Sequence, residues 1–99
     1  MKEAKDCINI EEIRNEIDRI DREITGLLAK RAEYVHCAAK FKTSAQSVKA
    51  GDRVKSMIEK RKIWANELNL SPLFIENLFN LITGYFISDE MKKWKETQN

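Results

Sequence analysis

The sequence contains few residues that interrupt a helix or crosslink the chain. One proline and three glycines occur in 99 residues, so there are few points at which a helix must end. Its two cysteines, Cys7 and Cys37, are far apart and fit no metal-binding or redox spacing. We therefore expect long helices with two or three connections, and two free thiols in a reducing compartment.

The sequence also lacks the side-chain sets that most catalytic and metal centres need. His36 is the only histidine, and no cysteine or carboxylate cluster has the spacing of metal ligands. There is no Ser/His/Asp or Cys/His set and no glycine-rich loop that would hold a phosphate. We expect neither a metal nor an organic cofactor.

Charge and hydropathy argue against two kinds of partner. The net charge is only +2 and the two signs alternate along the chain, which argues against nucleic acid or a membrane surface. No apolar run approaches the roughly 18 residues that span a bilayer. The polar start, residues 1–6, lacks the apolar core of a signal peptide. These features predict a single cytoplasmic domain over residues 1–99.

The sequence does contain one long amphipathic stretch from Asn9 to Lys42, which predicts a helix that either Asn9 or Asp6 caps. Its roughly 34 residues would measure about 50 Å, whereas a compact 100-residue domain has a radius of gyration of about 13 Å. The remaining residues cannot cover such a rod, so we expect a second copy of the chain to bury its stripe. The apolar positions recur at steps of three and four: Ile10, Ile13, Ile17, Ile20, Ile24, Leu27, Leu28, Tyr34, Val35, Ala38 and Phe41.

Capping residues divide the remainder into two further helices. Asp52 is a good N-cap for a helix over 52–68, and Asn69 can end it because asparagine tolerates the left-handed conformation. The Ser-Pro pair at 71–72 begins a third helix that runs to about Lys95. The predicted fold class is all-α, with three helices per chain.

Between the first two helices, residues 43–51 lose the periodicity and collect small polar side chains, which predicts a loop. This loop is longer than most connections in compact domains. It would act either as a lid over a site at the cationic end of the first helix or as a linker without a role.

Cations occupy places where apolar residues are expected. Arg31 lies within the stripe of the first helix, and burying a guanidinium is costly unless it meets an anion. Lys42 would lie on nearly the same helical face as Arg31, about 16 Å further along the helix axis. Snorkelling side chains or structural ion pairs are one explanation; a small dianion held between the two is the other. Arg14, about 26 Å before Arg31, could reach that ligand only from an antiparallel second copy.

One carboxylate also stands in an apolar position. Ile82, Phe86 and Glu90 are spaced i, i+4 and i+8, so Glu90 continues the apolar stripe of the third helix.

Together these residues resemble a known family. The pattern of the first helix is similar to that of the all-helical chorismate mutases at Ile13, Arg14, Ile17, Asp18, Ile20, Asp21, Ile24, Leu27, Leu28 and Arg31. Over nearly its full length the chain more closely resembles the isochorismate pyruvate lyase branch of that family, which makes salicylate for siderophores. The positions that carry this closer resemblance are Asp6, Cys7, Tyr34, Val35, Ala38, Ala39, Phe41, Lys42, Arg53, Val54, Trp64, Ala65, Phe79 and Trp94.

The resemblance implies an intertwined homodimer with two shared sites, each for a cyclic dicarboxylate that carries an enolpyruvyl ether. By position, Arg31 and the partner's Arg14 would bind the substrate carboxylates, and Arg53 would be a further cation beside the substrate. Lys42 would donate to the ether oxygen, where negative charge develops. The chorismate mutase reaction and the isochorismate pyruvate lyase reaction are both pericyclic, so the resemblance implies no nucleophile, metal or cofactor.

Two departures from the family pattern bear on the substrate and on catalysis. Val54 stands where many chorismate mutases have a glutamate that contacts the ring hydroxyl of the substrate, which favours isochorismate. Glu90 stands where glutamine usually donates to the ether oxygen, and an ionised glutamate cannot donate. The resemblance therefore implies catalytic roles for Lys42 and Glu90, the latter dependent on its protonation.

Several functions stay open at this point. The leading hypothesis is an isochorismate pyruvate lyase with weak chorismate mutase side activity. The alternatives are a chorismate mutase, a mutase for an amino-substituted chorismate, and a catalytically silent helical dimer acting as an interaction or regulatory module. A nucleic-acid binder fits least, because Arg31 lies in the apolar stripe rather than on an exposed face.

Overall fold

The computed structural model describes residues 2–46 and 51–97. Within these ranges lie the α-helices α1 (Ile10–Ala38), α2 (Gly51–Glu67) and α3 (Pro72–Thr97), with short 3-10 turns at Ala4–Asp6 and Ala39–Phe41. Residues 45 and 46 are helical as well. No strand occurs in the described ranges, so the all-α prediction is confirmed. The chain divides into two compact units, which meet between Tyr34 and Val35 within α1.

Local hydrogen bonds fix the start of α1. The side-chain oxygen Oδ1 of Asn9 accepts a hydrogen bond from the Glu12 N–H at 2.9 Å, so Asn9 is the N-cap. The Glu12 carboxylate in turn accepts from the Ile8 N–H at 3.1 Å and from Lys2 Nζ at 2.7 Å. These bonds tie the N-terminal segment to the first turn of the helix. They decide between the two predicted caps in favour of Asn9.

The first helix ends earlier than the sequence predicted. It stops at Ala38 and tightens into the 3-10 turn Ala39–Phe41, after which Lys42 is extended (φ −88°, ψ 133°). The Lys42 N–H donates to the Ala39 carbonyl at 3.1 Å. Such tightening is common at helix ends because it satisfies carbonyls that lack a partner in the ladder. The prediction that Lys42 continues a helical face is therefore wrong.

The connection to α2 also differs in part from the predicted loop. Thr43 and Ser44 are not helical, but Ala45, Gln46 and Gly51 are, and residues 47–50 lie outside the described residues. Alanine and glutamine are both good helix formers, a preference that the run of small polar residues concealed. Since α2 begins at Gly51, Asp52 lies inside its first turn, where the helix dipole favours a carboxylate. The prediction of Asp52 as N-cap is wrong.

The turn between α2 and α3 agrees with its prediction. Asn69 adopts a positive φ of 60°, and the Leu70 N–H donates to the Ala65 carbonyl at 2.8 Å, which closes the end of α2. Ser71 Oγ then accepts a hydrogen bond from the Phe74 N–H at 3.2 Å and caps α3.

Helices α2 and α3 pack against each other in the second unit. Their buried apolar side chains are Met57, Ile58, Ala65 and Phe86. At one place the Arg61 guanidinium lies over two rings, 4.8 Å from the centre of Trp64 and 5.1 Å from that of Phe79. At another, Lys62 Nζ lies 3.4 Å from the Glu76 carboxylate across the two helices.

The apolar stripe of α1 is present in the first unit, but its side chains remain open to solvent. Their exposed fractions lie between 38% and 68% for Ile13, Ile17, Ile20, Ile24 and Leu27. Five such side chains in a row leave a long apolar surface on this helix. None of the described helices combines the length and the apolar character needed to cross a membrane.

Candidate functional site

The site begins with a carboxyl group that α3 buries. Phe86 and Glu90 lie one turn apart on this helix and are 7% and 6% exposed. Among the described residues, the Glu90 atom Oε1 is buried and has no hydrogen-bond partner. Buried polar atoms are nearly always bonded, so an unbonded carboxyl oxygen in this position is unusual.

Burial also changes the acidity of this group. The pKa of the Glu90 carboxyl lies above its ordinary value because the group is buried. The positive charge of Lys42 and, to a smaller extent, His36 act in the opposite direction without cancelling the effect of burial. The protonated form is therefore more favourable here than on an exposed glutamate. A protonated carboxyl can donate a hydrogen bond, which a carboxylate cannot.

Lys42 is the cation whose charge acts most strongly on this carboxyl, and its backbone is hydrogen-bonded on both sides. The residue is half-buried and follows the 3-10 turn after α1. Its N–H donates to the Ala39 carbonyl at 3.1 Å, and its own carbonyl accepts a hydrogen bond from the Trp94 indole Nε1 at 3.3 Å. The long side chain thus extends from a fixed point of the main chain.

A second polar contact joins the end of α1 to α3. His36 Nε2 lies 2.8 Å from Asp89 Oδ2, and Lys93 Nζ lies 3.1 Å from the same ring nitrogen and 3.8 Å from the carboxylate. The hydrogen bond with His36 holds the pKa of the Asp89 carboxyl below its ordinary value; partial burial opposes this, and the charge of Lys93 supports it. Asp89 precedes Glu90 on α3, and the charge of His36 acts on the Glu90 carboxyl as well.

The five site residues predicted from sequence fall into both units. Arg14 and Arg31 belong to the first unit, where Arg14 is exposed and 3.3 Å from the Glu11 carboxylate, and Arg31 is half-buried. Arg53 is exposed in the first turn of α2. Lys42, Arg53 and Glu90 belong to the second unit, where the positive charge of Lys42 acts on the Glu90 carboxyl. The substrate-binding roles of the three arginines stay predictions.

Two residues of this region were missed by reasoning from sequence. No role in the site was assigned from sequence to His36 or to Trp94, although Trp94 is one of the positions that carry the closer family resemblance. Their partners, Asp89 and the Lys42 carbonyl, lie 53 and 52 residues away along the chain. No local pattern signals such distant pairs; only the packing of the end of α1 against α3 would have suggested them.

Other clefts, of about 180 to 250 Å³, lie elsewhere on the described residues. In the parts of the chain that the structure describes, no three His, Cys, Asp or Glu side chains come together as metal ligands would. A small cleft of about 180 Å³ lies beside Arg61, Trp64 and Phe79, but it is lined almost wholly by apolar side chains.

Comparison with known proteins places this geometry in a family. A bifunctional chorismate mutase/prephenate dehydratase of Buchnera aphidicola is 32% identical over 87 residues, which make up 87% of this chain and 23% of that protein. An isochorismate pyruvate lyase of Pseudomonas aeruginosa is 39% identical over 98 residues, covering 99% of this chain and 97% of the relative. The family model for chorismate mutase type II matches residues 13–91, a range that contains all five predicted site residues. A family model that matches most of the chain shows, in agreement with the all-helical fold, that the chain belongs to the chorismate mutase type II family.

Proposed function

We propose that the chain is an isochorismate pyruvate lyase, which converts isochorismate to salicylate and pyruvate and has weak chorismate mutase activity in the same site. The observation that carries this proposal is the similarity to a lyase of that name over 97% of the relative's length. We further propose that the enzyme acts in the cytoplasm and that its salicylate serves siderophore synthesis.

The proposed reaction needs a fixed conformer and a donor more than a nucleophile. The C–O bond of the enolpyruvyl ether breaks while a ring hydrogen moves to the enolpyruvyl methylene carbon, which leaves pyruvate and an aromatic ring. Negative charge develops on the ether oxygen as this bond lengthens. Catalysis then comes from holding the reactive conformer and from donors aimed at that oxygen.

Lys42 and Glu90 suit the two donor positions. The Lys42 side chain supplies a donor from a backbone that is hydrogen-bonded on both sides. Glu90 becomes a second donor when it is protonated, and its burial favours that form. Ionised Glu90 would instead offset the charge of Lys42 and accept a hydrogen bond from it. The proposed enzyme therefore works better at mildly acidic pH.

The two substrate carboxylates require cations, and the proposal assigns them to arginines. Arg31 and the partner's Arg14 would each form a planar, two-pronged contact with a carboxylate, and Arg53 would add positive charge. This arrangement needs a homodimer with shared sites. The open apolar stripe on α1 supports such a dimer, because each fully buried isoleucine or leucine contributes about 1.5–3 kcal/mol.

A chorismate mutase that makes prephenate is the second candidate. The family match and the similarity to the chorismate mutase/prephenate dehydratase favour it. A third, a silent helical dimer with an interaction or regulatory role, is favoured only by Glu90 in a position where a permanent donor is expected.

One experiment separates the three functions. Purified protein is incubated with isochorismate and, separately, with chorismate from pH 5 to 8, while salicylate fluorescence and chorismate absorbance are followed. Salicylate and pyruvate in equal amounts support the lyase. Prephenate as the only product overturns it in favour of the mutase, and the absence of both products across this pH range leaves the silent dimer. Glu90→Gln protein is assayed in parallel. Activity in this variant but not in the wild type would show that the wild type lacks only a hydrogen-bond donor at position 90.

A further inference from the structure

The indole of Trp94 holds the main chain of the lysine at the centre of the site. Its Nε1–H donates to the Lys42 carbonyl at 3.3 Å, across 52 residues of sequence. The indole is half-buried, near the C-terminal end of α3. This contact is a side-chain bond to the backbone just beyond the 3-10 turn, where the main chain is extended, so it restrains the Lys42 carbonyl.

The position of Lys42 explains why such a bond matters. The residue lies after the 3-10 turn Ala39–Phe41 and before the non-helical Thr43 and Ser44. Its N–H donates to the Ala39 carbonyl at 3.1 Å, and its own carbonyl accepts from the Trp94 indole at 3.3 Å. The second bond restrains the peptide group through which Lys42 joins the following connection.

The same face of α3 supplies both the anchor and the carboxyl. Glu90 and Trp94 are spaced i, i+4, so their side chains are neighbours on the helix surface. Glu90 faces the charge of Lys42, while Trp94 binds its carbonyl. The segment from His36 to Lys42 is thereby tied to α3 at both ends, by the His36–Asp89 contact and by the indole. One helical face sets the distance between the two predicted donors.

We propose that Trp94 is a positioning residue, which acts through Lys42 and fixes the place of its ammonium relative to Glu90 and the ether oxygen. The inference rests on the proposed function for its catalytic consequence, but the anchoring itself does not depend on which substrate is bound. A displacement of about 1 Å in a catalytic group can cost about 100-fold in rate. Loss of a single hydrogen bond from a still-packed ring should cost less, about tenfold in kcat.

Trp94→Phe is the direct test, since it removes the N–H and keeps an aromatic ring. Its matched control is Trp64→Phe, the same change on α2, where the indole stacks on the Arg61 guanidinium. We expect kcat for salicylate release to fall about tenfold in Trp94→Phe, with KM within about twofold of wild type and the control unchanged. A purely structural role would instead lower the melting temperature and the active fraction, leaving kcat per folded site unchanged.

A second readout follows the anchor itself and needs no turnover. Amide hydrogen exchange at Lys42 should become at least severalfold faster in Trp94→Phe than in wild type or in the control. If the phenylalanine variant fails to fold, Trp94 is replaced by β-(3-benzothienyl)alanine, which has sulfur in place of the N–H on a ring of the same shape. The turnover and exchange measurements are then made on that protein.

The measured outcomes either support or overturn the positioning role of Trp94. Lower kcat together with faster exchange at Lys42 supports the positioning role. Unchanged kcat in an active enzyme, or unchanged exchange at Lys42, overturns it. If wild-type protein produces neither salicylate nor prephenate, the proposed function is wrong, whatever the role of Trp94. The exchange measurement still reports whether the indole anchors Lys42.

Discussion

His36 Nε2 and Asp89 Oδ2 lie 2.8 Å apart, and this contact joins the last turns of α1 to α3 immediately before the buried Glu90. It is partly open to solvent, with side-chain exposures of 36% and 29%. A single exposed ion pair contributes little to stability. Here, however, the contact determines where the chain leaving α1 meets the helix that carries the carboxyl.

The first prediction concerns the pH dependence of stability that this contact creates. The folded-state pKa of Asp89 is lowered, so its contribution is present above the unfolded value of 3.8 and is lost as pH falls below it. Asp89→Asn should therefore be less stable than wild type at pH 7, and the difference should shrink as the pH approaches 3. Urea unfolding midpoints measured from pH 3 to 7 give this difference directly.

The exposed Asp21→Asn on α1 is the matched control for Asp89→Asn and should show no such change between pH 3 and 7. A stability difference for Asp89→Asn that is constant over the whole range would contradict the assignment, because it would then come from the amide rather than from loss of a charge.

The second prediction concerns the free energy of unfolding of Glu90→Gln. Its pH dependence has the opposite sign to that of Asp89→Asn. The folded-state pKa of Glu90 is raised, so the carboxyl contributes stability fully below its unfolded pKa, and that contribution is lost as pH rises through the folded value. Glutamine cannot ionise and escapes this loss. We expect the variant to be more stable than wild type by about 1 kcal/mol at pH 8, with the gap closing below pH 5. Glu67→Gln, an exposed change at the end of α2, is the control.

The third prediction concerns activity and follows from the same group. Below its pKa, Glu90 donates a hydrogen bond; above it, the carboxylate offsets the charge of Lys42. Wild-type kcat should therefore rise as the pH is lowered from 8 towards 5. Glu90→Gln should be about tenfold faster than wild type at neutral pH and nearly independent of pH in this range. Identical pH–rate profiles for the two proteins would rule out this role for Glu90.

Much of this architecture follows from local sequence signals. The helical period, the Asn9 cap, the left-handed Asn69 and the Ser71 cap were all predictable, because each depends on residues within one turn of the chain. The burial of Glu90 was also predictable, since its spacing from Phe86 places both on one face.

What sequence reasoning missed depends on contacts between distant residues. The end of α1 at Ala38 is marked by neither glycine nor proline, so the periodic pattern ran on to Lys42. The bonds from His36 to Asp89 and from Trp94 to the Lys42 carbonyl need the packed pair of segments before they can be seen. The roles of Arg14, Arg31 and Arg53 depend on a ligand and a second chain, and they stay predictions.

The fourth prediction separates Lys42 from its neighbour Lys40. Lys42→Met keeps the length and apolar stem of the side chain but removes the ammonium, and we expect kcat to fall by roughly 100- to 1,000-fold. Lys40→Met is the matched control, because Lys40 is exposed in the adjoining 3-10 turn and lies 5.4 Å from the centre of the Phe41 ring. Its kcat should stay within about twofold of wild type. Equal losses in the two variants would indicate a general effect of positive charge rather than a specific donor.

The last prediction tests whether two chains share each site. Arg14→Ala and Arg31→Ala chains should each be nearly inactive alone, because every site would lack one cation. Mixed in equal amounts under conditions that exchange subunits, half of the dimers would contain one chain of each kind. If Arg14 acts across the interface, one of the two sites in such a dimer is intact, and about a quarter of wild-type activity should return.

Arg31→Ala mixed with Arg53→Ala gives the matched control for this experiment. Both of these residues would serve the site of their own chain, so every site in the mixed dimer keeps one defect and no activity should return. Equal recovery in the two mixtures would mean that mutant sites regain function without complementation. Recovery in neither, with subunit exchange confirmed by mass spectrometry of differently labelled chains, would remove Arg14 from the partner's site, and the open apolar stripe on α1 would then need another explanation.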